Sequence, residues 1–247
     1  MGNLFCLKHI VGLIWVSVMI VGLYFASHKV KDKFGVNLVL KIGAVLLVFM
    51  ELLKYGVLLV HHSMSWDYFP LQFCSLMLYI YPIVAFFPER RIARIMLPFA
   101  FSGGLLAGLI ALIIPTNILG NPQTMWLNPD DVLPIISFIY HGLMIWFSSY
   151  LVYSQYYRPR YRDTVNVLAF LFFFALIATG VNTLFQQDFM MLREGIGNPL
   201  SFLMAYHYLF YILAQVVLFL ILNPLFITIV KILQKRRIRE NRSDEYV

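Results

Sequence analysis

The sequence predicts an all-α, polytopic membrane bundle of about seven transmembrane helices, and three observations carry that reading. First, 61% of the 247 residues are hydrophobic and only 13% are charged, a balance that excludes ordinary soluble domains. Second, the chain divides into seven apolar runs near residues 9–26, 36–60, 66–88, 95–114, 132–153, 164–184 and 201–230. Each approaches the roughly 20 residues that a helix needs to cross about 30 Å of hydrocarbon. Third, all but four of the 19 Lys and Arg residues follow the first, third, fifth and seventh runs. They are Lys29, Lys31, Lys33, Arg90, Arg91, Arg94, Arg158, Arg160, Arg162, Lys231, Lys235, Arg236, Arg237, Arg239 and Arg242. The positive-inside rule then places the N-terminus outside and the C-terminus in the cytoplasm.

These clusters account for the net charge of +7, so the basic balance does not point to nucleic acid. Residues 1–230 form a transmembrane domain, and residues 231–247 a basic cytoplasmic tail whose Lys235, Arg236, Arg237 and Arg239 meet anionic lipid headgroups. The first run is longer than a signal-peptide core, and Lys29, Lys31 and Lys33 hold it in the membrane. The expected location is the cell membrane, and the expected partners are its lipids.

Along the chain, the first run is an uncharged anchor. The second contains Lys41, Glu51 and Lys54. Lys41 is close enough to the cytoplasmic end to snorkel. Glu51 and Lys54 share one helical face and can pair, since ionisable groups inside a span are costly unless paired or wetted. His61 and His62 belong to a short outer turn.

In the third run, Asp67 is expected to cap a helix with Pro70 in its first turn. Cys74 would then stand two turns in, on the order of 10 Å below the helix start. Free cysteine ordinarily serves as a small buried hydrophobe. The fourth run has Gly104 and Gly108 at a spacing that lets a neighbouring backbone approach. The outer loop 115–131 follows, with Trp126 suited to the membrane interface and Asp130 and Asp131 suited to cap the fifth helix. This loop is long enough to cover an outward-facing cavity.

His141 lies in the fifth run, roughly 14 Å deep by helix rise. A lone membrane histidine often bridges helices rather than catalysing. Asn182 ends the sixth run, His207 lies near the outer end of the seventh, and Asn223-Pro224 is expected to break that helix.

Glu51, Lys54, Gln72, Cys74, His141, Asn182 and His207 all fall in the outer half of their spans. Isolated structural polar groups scatter in depth, whereas groups lining one wet cavity share a level. The sequence therefore predicts an outward-facing polar pocket holding a thiol and at least one imidazole. No metal site and no cofactor is expected, because Cys74, His141 and His207 lack local ligand spacing.

Glu51-Leu52-Leu53-Lys54, Pro70-Leu71-Gln72-Phe73-Cys74-Ser75, His141, and Asn182 followed by Phe189-Met190-Met191-Leu192 resemble the bacterial YwaF-like integral membrane proteins. That family is similar to the eukaryotic transmembrane protein 164 acyltransferases. The Pro-Leu-Gln-x-Cys element is its most specific part, and Gln187-Asp188-Phe189-Met190 departs from the family's Thr-Asn-Tyr-Met. The resemblance implies a lipid acyltransferase with Cys74 and His141 as its catalytic pair. A small-solute or proton-coupled carrier using Glu51, Lys54, His141 and His207, or a structural membrane subunit, stands as the alternative.

Overall fold

A computed structural model describes residues 5–116, 118–126, 128 and 131–244, with side chains as far as Lys235. The helices are α1 (Leu7–Phe34), α2 (Val36–Val60), α3 (Met77–Phe86), α4 (Arg91–Ile113), α5 (Val132–Tyr153), α6 (Asp163–Phe185) and α7 (Tyr208–Asp244). Six of them are long and apolar enough to cross a membrane, and the stretch Cys74–Phe86 forms a shorter apolar helix. The described residues contain no strand.

α5 is the central helix. In its most apolar stretch 72% of the residues are buried, against 11% for α6, because α1, α2 and α4 all pack on α5. α6 and α7 present most of their apolar surface outward, as helices facing hydrocarbon do.

At the heart of the bundle, Tyr81 of α3 stacks on Phe147 of α5 with ring centroids 4.0 Å apart. Its hydroxyl donates to Ser148 Oγ at 2.7 Å, and Ser148 Oγ donates in turn to the Ala100 carbonyl at 2.7 Å. Gly104 makes room for this chain. A Cβ there would stand 2.0 Å from Tyr81 Oη and 2.5 Å from Ser148 Oγ. Gly104→Ala is therefore expected to cost about 1–3 kcal/mol through overpacking, with partial recovery in Gly104→Ala/Tyr81→Phe. A thermal midpoint for Gly104→Ala equal to that of the wild type would refute this account of the α3–α4–α5 contact. One turn on, Gly108 meets α5 itself, since its Cβ would lie 3.0 Å from the His141 carbonyl oxygen. The glycine pair thus brings α4 close beneath the α5 histidine.

Contacts gather the loops at two ends. At one end, Lys8 reaches the α4–α5 loop, Thr116 Oγ1 donates to the Gly197 carbonyl, and Tyr55 of α2 donates to the Tyr68 carbonyl at 3.0 Å. At the other, basic end, Tyr156 donates to the Val84 carbonyl, and Lys231 lies 3.7 Å from the Tyr161 ring centroid.

Three expectations are corrected. The third run is not helical from Asp67: residues 66–68 form a 3₁₀ turn, Phe69 is extended (φ −61°, ψ 136°), and helix begins only around Cys74. The reason is Pro70, whose ring disfavours helical geometry in the residue before it. The seventh helix does not break at Asn223-Pro224. α7 runs through Pro224 to Asp244, with Asn223 Nδ2 donating to Thr164 Oγ1 at 2.7 Å and Thr228 Oγ1 donating to the Pro224 carbonyl at 2.8 Å.

The third correction concerns the outer loop, whose Asp131 side chain makes no cap hydrogen bond. Its carboxylate pairs with Lys8 Nζ at 2.5 Å, with both side chains almost wholly buried. Lys8 Nζ also donates to the Asn121 carbonyl and to Thr124 Oγ1. Trp126 is buried rather than interfacial: its indole donates to the Lys8 carbonyl at 2.7 Å, and its ring packs edge-on to Trp15 and Phe138. His9 Nδ1 accepts from the Phe5 amide, so Nε2 carries the proton and donates to the Leu112 carbonyl at 2.8 Å. The loop is thus fastened to the start of α1. Asp130 lies outside the described residues.

Candidate functional site

α2 supplies the charged part of the site. Glu51 and Lys54 stand one turn apart, and Lys54 Nζ donates to Glu51 Oε1 at 2.6 Å. Glu51 is 4% exposed, and the pair neutralises itself within the span, as buried charges must. Lys54 Nζ also sits 5.0 Å from the Tyr55 ring centroid, which helps hold the ammonium.

Because Pro70 delays the helix, Cys74 opens the turn that leads into α3 instead of lying two turns inside it. It is half-buried. The positive end of a helix dipole stabilises an anion placed in its first turn, and Cys74 stands in that turn. The Cys74 backbone is tied to α5, for the Tyr140 hydroxyl donates to its carbonyl at 3.4 Å.

His141 follows Tyr140 and is buried. Its Nδ1 lies 2.7 Å from the Ser137 carbonyl oxygen. A carbonyl only accepts, so Nδ1 bears the proton, and neutral imidazole then presents Nε2 as an acceptor. The His141 ring stands edge-on to Tyr140 with centroids 5.5 Å apart. Cys74, Tyr140 and His141, with the Glu51–Lys54 pair on the neighbouring helix α2, make up the candidate polar group. No hydrogen bond joins Cys74 to His141 among the described residues; Tyr140, which adjoins His141 and donates to the Cys74 carbonyl, lies between them.

The other expected site residues have different partners. Gln72 Oε1 accepts from the Met190 amide at 2.9 Å. Asn182 is buried and holds both backbone groups of one residue, accepting from the Phe189 amide at 2.7 Å and donating to the Phe189 carbonyl at 2.9 Å. Gln72 and Asn182 thus bind the backbone of the segment after α6, where Met190 and Met191 both have φ of 56°. Non-helical backbone at membrane depth needs protein partners for its amides, and these two side chains provide them. Asp188, where the chain departs from the expected family pattern, folds the next loop by accepting from the Arg193, Glu194 and Ile196 amides.

His207 precedes α7, is exposed, and accepts from the Leu209 amide through Nδ1 at 3.1 Å. It is a helix cap and shares no contact with Cys74 or His141 among the described residues. Among those residues no three His, Cys, Asp or Glu side chains converge as metal ligands.

Tyr140 is the Cys74 neighbour that the sequence alone does not single out. A signal existed, because a tyrosine in a buried span normally needs a partner for its hydroxyl.

The sequence model of the TMEM164 family matches residues 4–226. The chain belongs to the TMEM164 family. Every residue of the polar group falls inside the matched region, as do Gln72, Asn182 and His207, while the basic last turns of α7 fall beyond it. Membership agrees with the six long apolar helices in making this a multi-pass membrane protein of the TMEM164 family. Comparison with the curated proteins and with the solved structures finds no match.

Proposed function

We propose that this TMEM164-family protein is an acyltransferase of the cell membrane that moves acyl groups between lipids through a thioester on Cys74, with His141 as general base. The observation that carries the reading is a thiol at the opening turn of α3, tied through its carbonyl to Tyr140, whose neighbour on α5 is a buried imidazole with Nδ1 already committed to a carbonyl. Nε2 of His141 is the nitrogen left to take a proton. The Cys74 thiol gives its proton to Nε2 as sulfur attacks the carbonyl carbon of a lipid ester. The tetrahedral oxyanion collapses to the thioester, and the lysolipid oxygen leaves with the proton from Nε2. An acceptor hydroxyl then repeats the sequence in reverse: it yields its proton to Nε2, attacks the thioester, and releases the thiol.

Catalytic hydrogen bonds often close only with substrate in place, which accommodates the missing direct bond from Cys74 to His141. A carrier working through Glu51, Lys54, His141 and His207 is less well supported. Glu51 and Lys54 neutralise each other, and His207 caps α7.

In the proposed arrangement the pocket opens at the end away from the basic clusters, the N-terminus is outside, and the C-terminal basic turns rest on anionic headgroups in the cytoplasmic leaflet. The test is reconstitution in liposomes with a phospholipid carrying isotope-labelled acyl chains and an unlabelled lysophospholipid. Mass spectrometry of lipids and intact protein should find label on the acceptor and one hydroxylamine-labile acyl group on the Cys74 peptide. Absence of label movement across several lipid classes would end the acyltransferase reading.

A further inference from the structure

Lys41 is an ammonium inside α2, roughly 8 Å of helix rise from its Val36 end, and none of the ion pairs among the described residues includes it. It is half-buried, with Nζ 5.7 Å from the Phe86 ring centroid. Phe86 is also the lower wall of an apolar trough between α2 and α3, of about 270 Å³ and without polar lining. Ala44, Val45, Val48, Phe49 and Leu52 form the α2 wall, and Pro82 and Phe86 the α3 wall.

The trough exists because Ala44 and Pro82 put two short side chains where the helices face each other. Val45, Leu52 and Phe86 are 55%, 62% and 43% exposed, so it opens sideways to the bilayer. From Lys41 to Leu52 the rise is roughly 16 Å, which suits a length of hydrocarbon chain rather than a compact solute.

An unpaired cation within a span calls for an anion, and an open apolar furrow calls for a chain. One molecule that meets both needs is abundant around the protein. We infer that the α2–α3 trough binds one anionic phospholipid of the surrounding bilayer, its phosphate against Lys41 and one acyl chain lying along Val45, Val48 and Leu52. A zwitterionic lipid fits less well, because its own ammonium competes with Lys41 for the phosphate. A second copy of the chain fits less well too: a two-fold contact centred on the trough would bring two Lys41 ammonium groups into one apolar interface. This site is separate from the Cys74 group and does not depend on the reaction performed there.

The experiment is native mass spectrometry of the full chain, delipidated in neutral detergent and titrated with phosphatidylglycerol or phosphatidylcholine. Wild type is expected to take up one phosphatidylglycerol about fivefold more tightly than phosphatidylcholine, the factor that one interfacial cation supplies. Lys41→Gln should erase that preference and Lys41→Arg should keep it. Val45→Trp, at a lipid-exposed position, should fill the trough and weaken the binding of both lipids. Equal uptake of the two lipids by wild type, or a preference that survives Lys41→Gln, overturns the inference. So does a dimer peak that Val45→Trp dissolves. Should Val45→Trp fail to fold, as judged by gel filtration, the Lys41 pair of variants decides alone.

Discussion

Cys74→Ala is expected to lower lipid-to-lipid acyl transfer by roughly three orders of magnitude or more, the scale on which enzymes lose rate when a covalent nucleophile is removed. The protein should keep its fold, since Cys74 is half-buried and the hydrogen bond from α5 to this residue ends on its backbone carbonyl. Cys74→Ser keeps the shape but offers a far weaker nucleophile, so it should also lack the acyl adduct. His141→Gln should reduce transfer by roughly 10²–10⁴-fold, the usual contribution of a positioned general base. Cys6→Ala provides the control. Cys6 precedes α1 and packs with the Trp126 cluster, so its loss should leave transfer unchanged. Transfer by Cys74→Ala at more than a tenth of the wild-type rate would sink the cysteine mechanism whatever the adduct spectrum shows.

The second large effect concerns the clamp between α1 and the α4–α5 loop. Asp131→Ala would leave the Lys8 ammonium, whose side chain is 0% exposed, with the Asn121 carbonyl, the Thr124 hydroxyl and the Trp126 ring but no counter-charge among the described residues. Removing one partner of a buried ion pair typically costs about 3–5 kcal/mol, whereas replacing both by apolar groups of similar volume is often neutral. Asp131→Ala should therefore unfold at markedly lower denaturant in detergent, and Lys8→Met/Asp131→Leu should recover most of the loss. Equal midpoints for Asp131→Ala and wild type would mean that water reaches Lys8 and that the clamp contributes nothing.

Much of this architecture is legible in the residues, for reasons that can be named. α2 and α5 fall where the apolar runs put them, residues 36–60 and 132–153, because hydrophobic length alone sets a span. The expectation that Glu51, Lys54, Cys74 and His141 share a depth likewise comes from counting along helices. α3 was misread because the effect of Pro70 on the preceding Phe69 outweighs an otherwise apolar stretch.

The Lys8–Asp131 pair was invisible, since its partners lie 123 positions apart and each has an innocent local reading, one as a loop cation and the other as a helix cap. Gln72 and Asn182 bind the Met190 amide and the Phe189 backbone. Nothing local tells a side chain that faces a cavity from one that holds another segment's peptide.

The shortness of α3 has a consequence for the bilayer itself. Its ten residues rise roughly 15 Å, about half the hydrocarbon thickness. Glu51 lies roughly 13 Å of helix rise below the end of α2 at Val60. A membrane meeting so short a span thins locally instead of exposing hydrocarbon to polar groups. The leaflet beside residues 66–73 should therefore dimple inward, lowering the glycerol ester level of nearby lipids toward Cys74 without any lipid having to leave its leaflet.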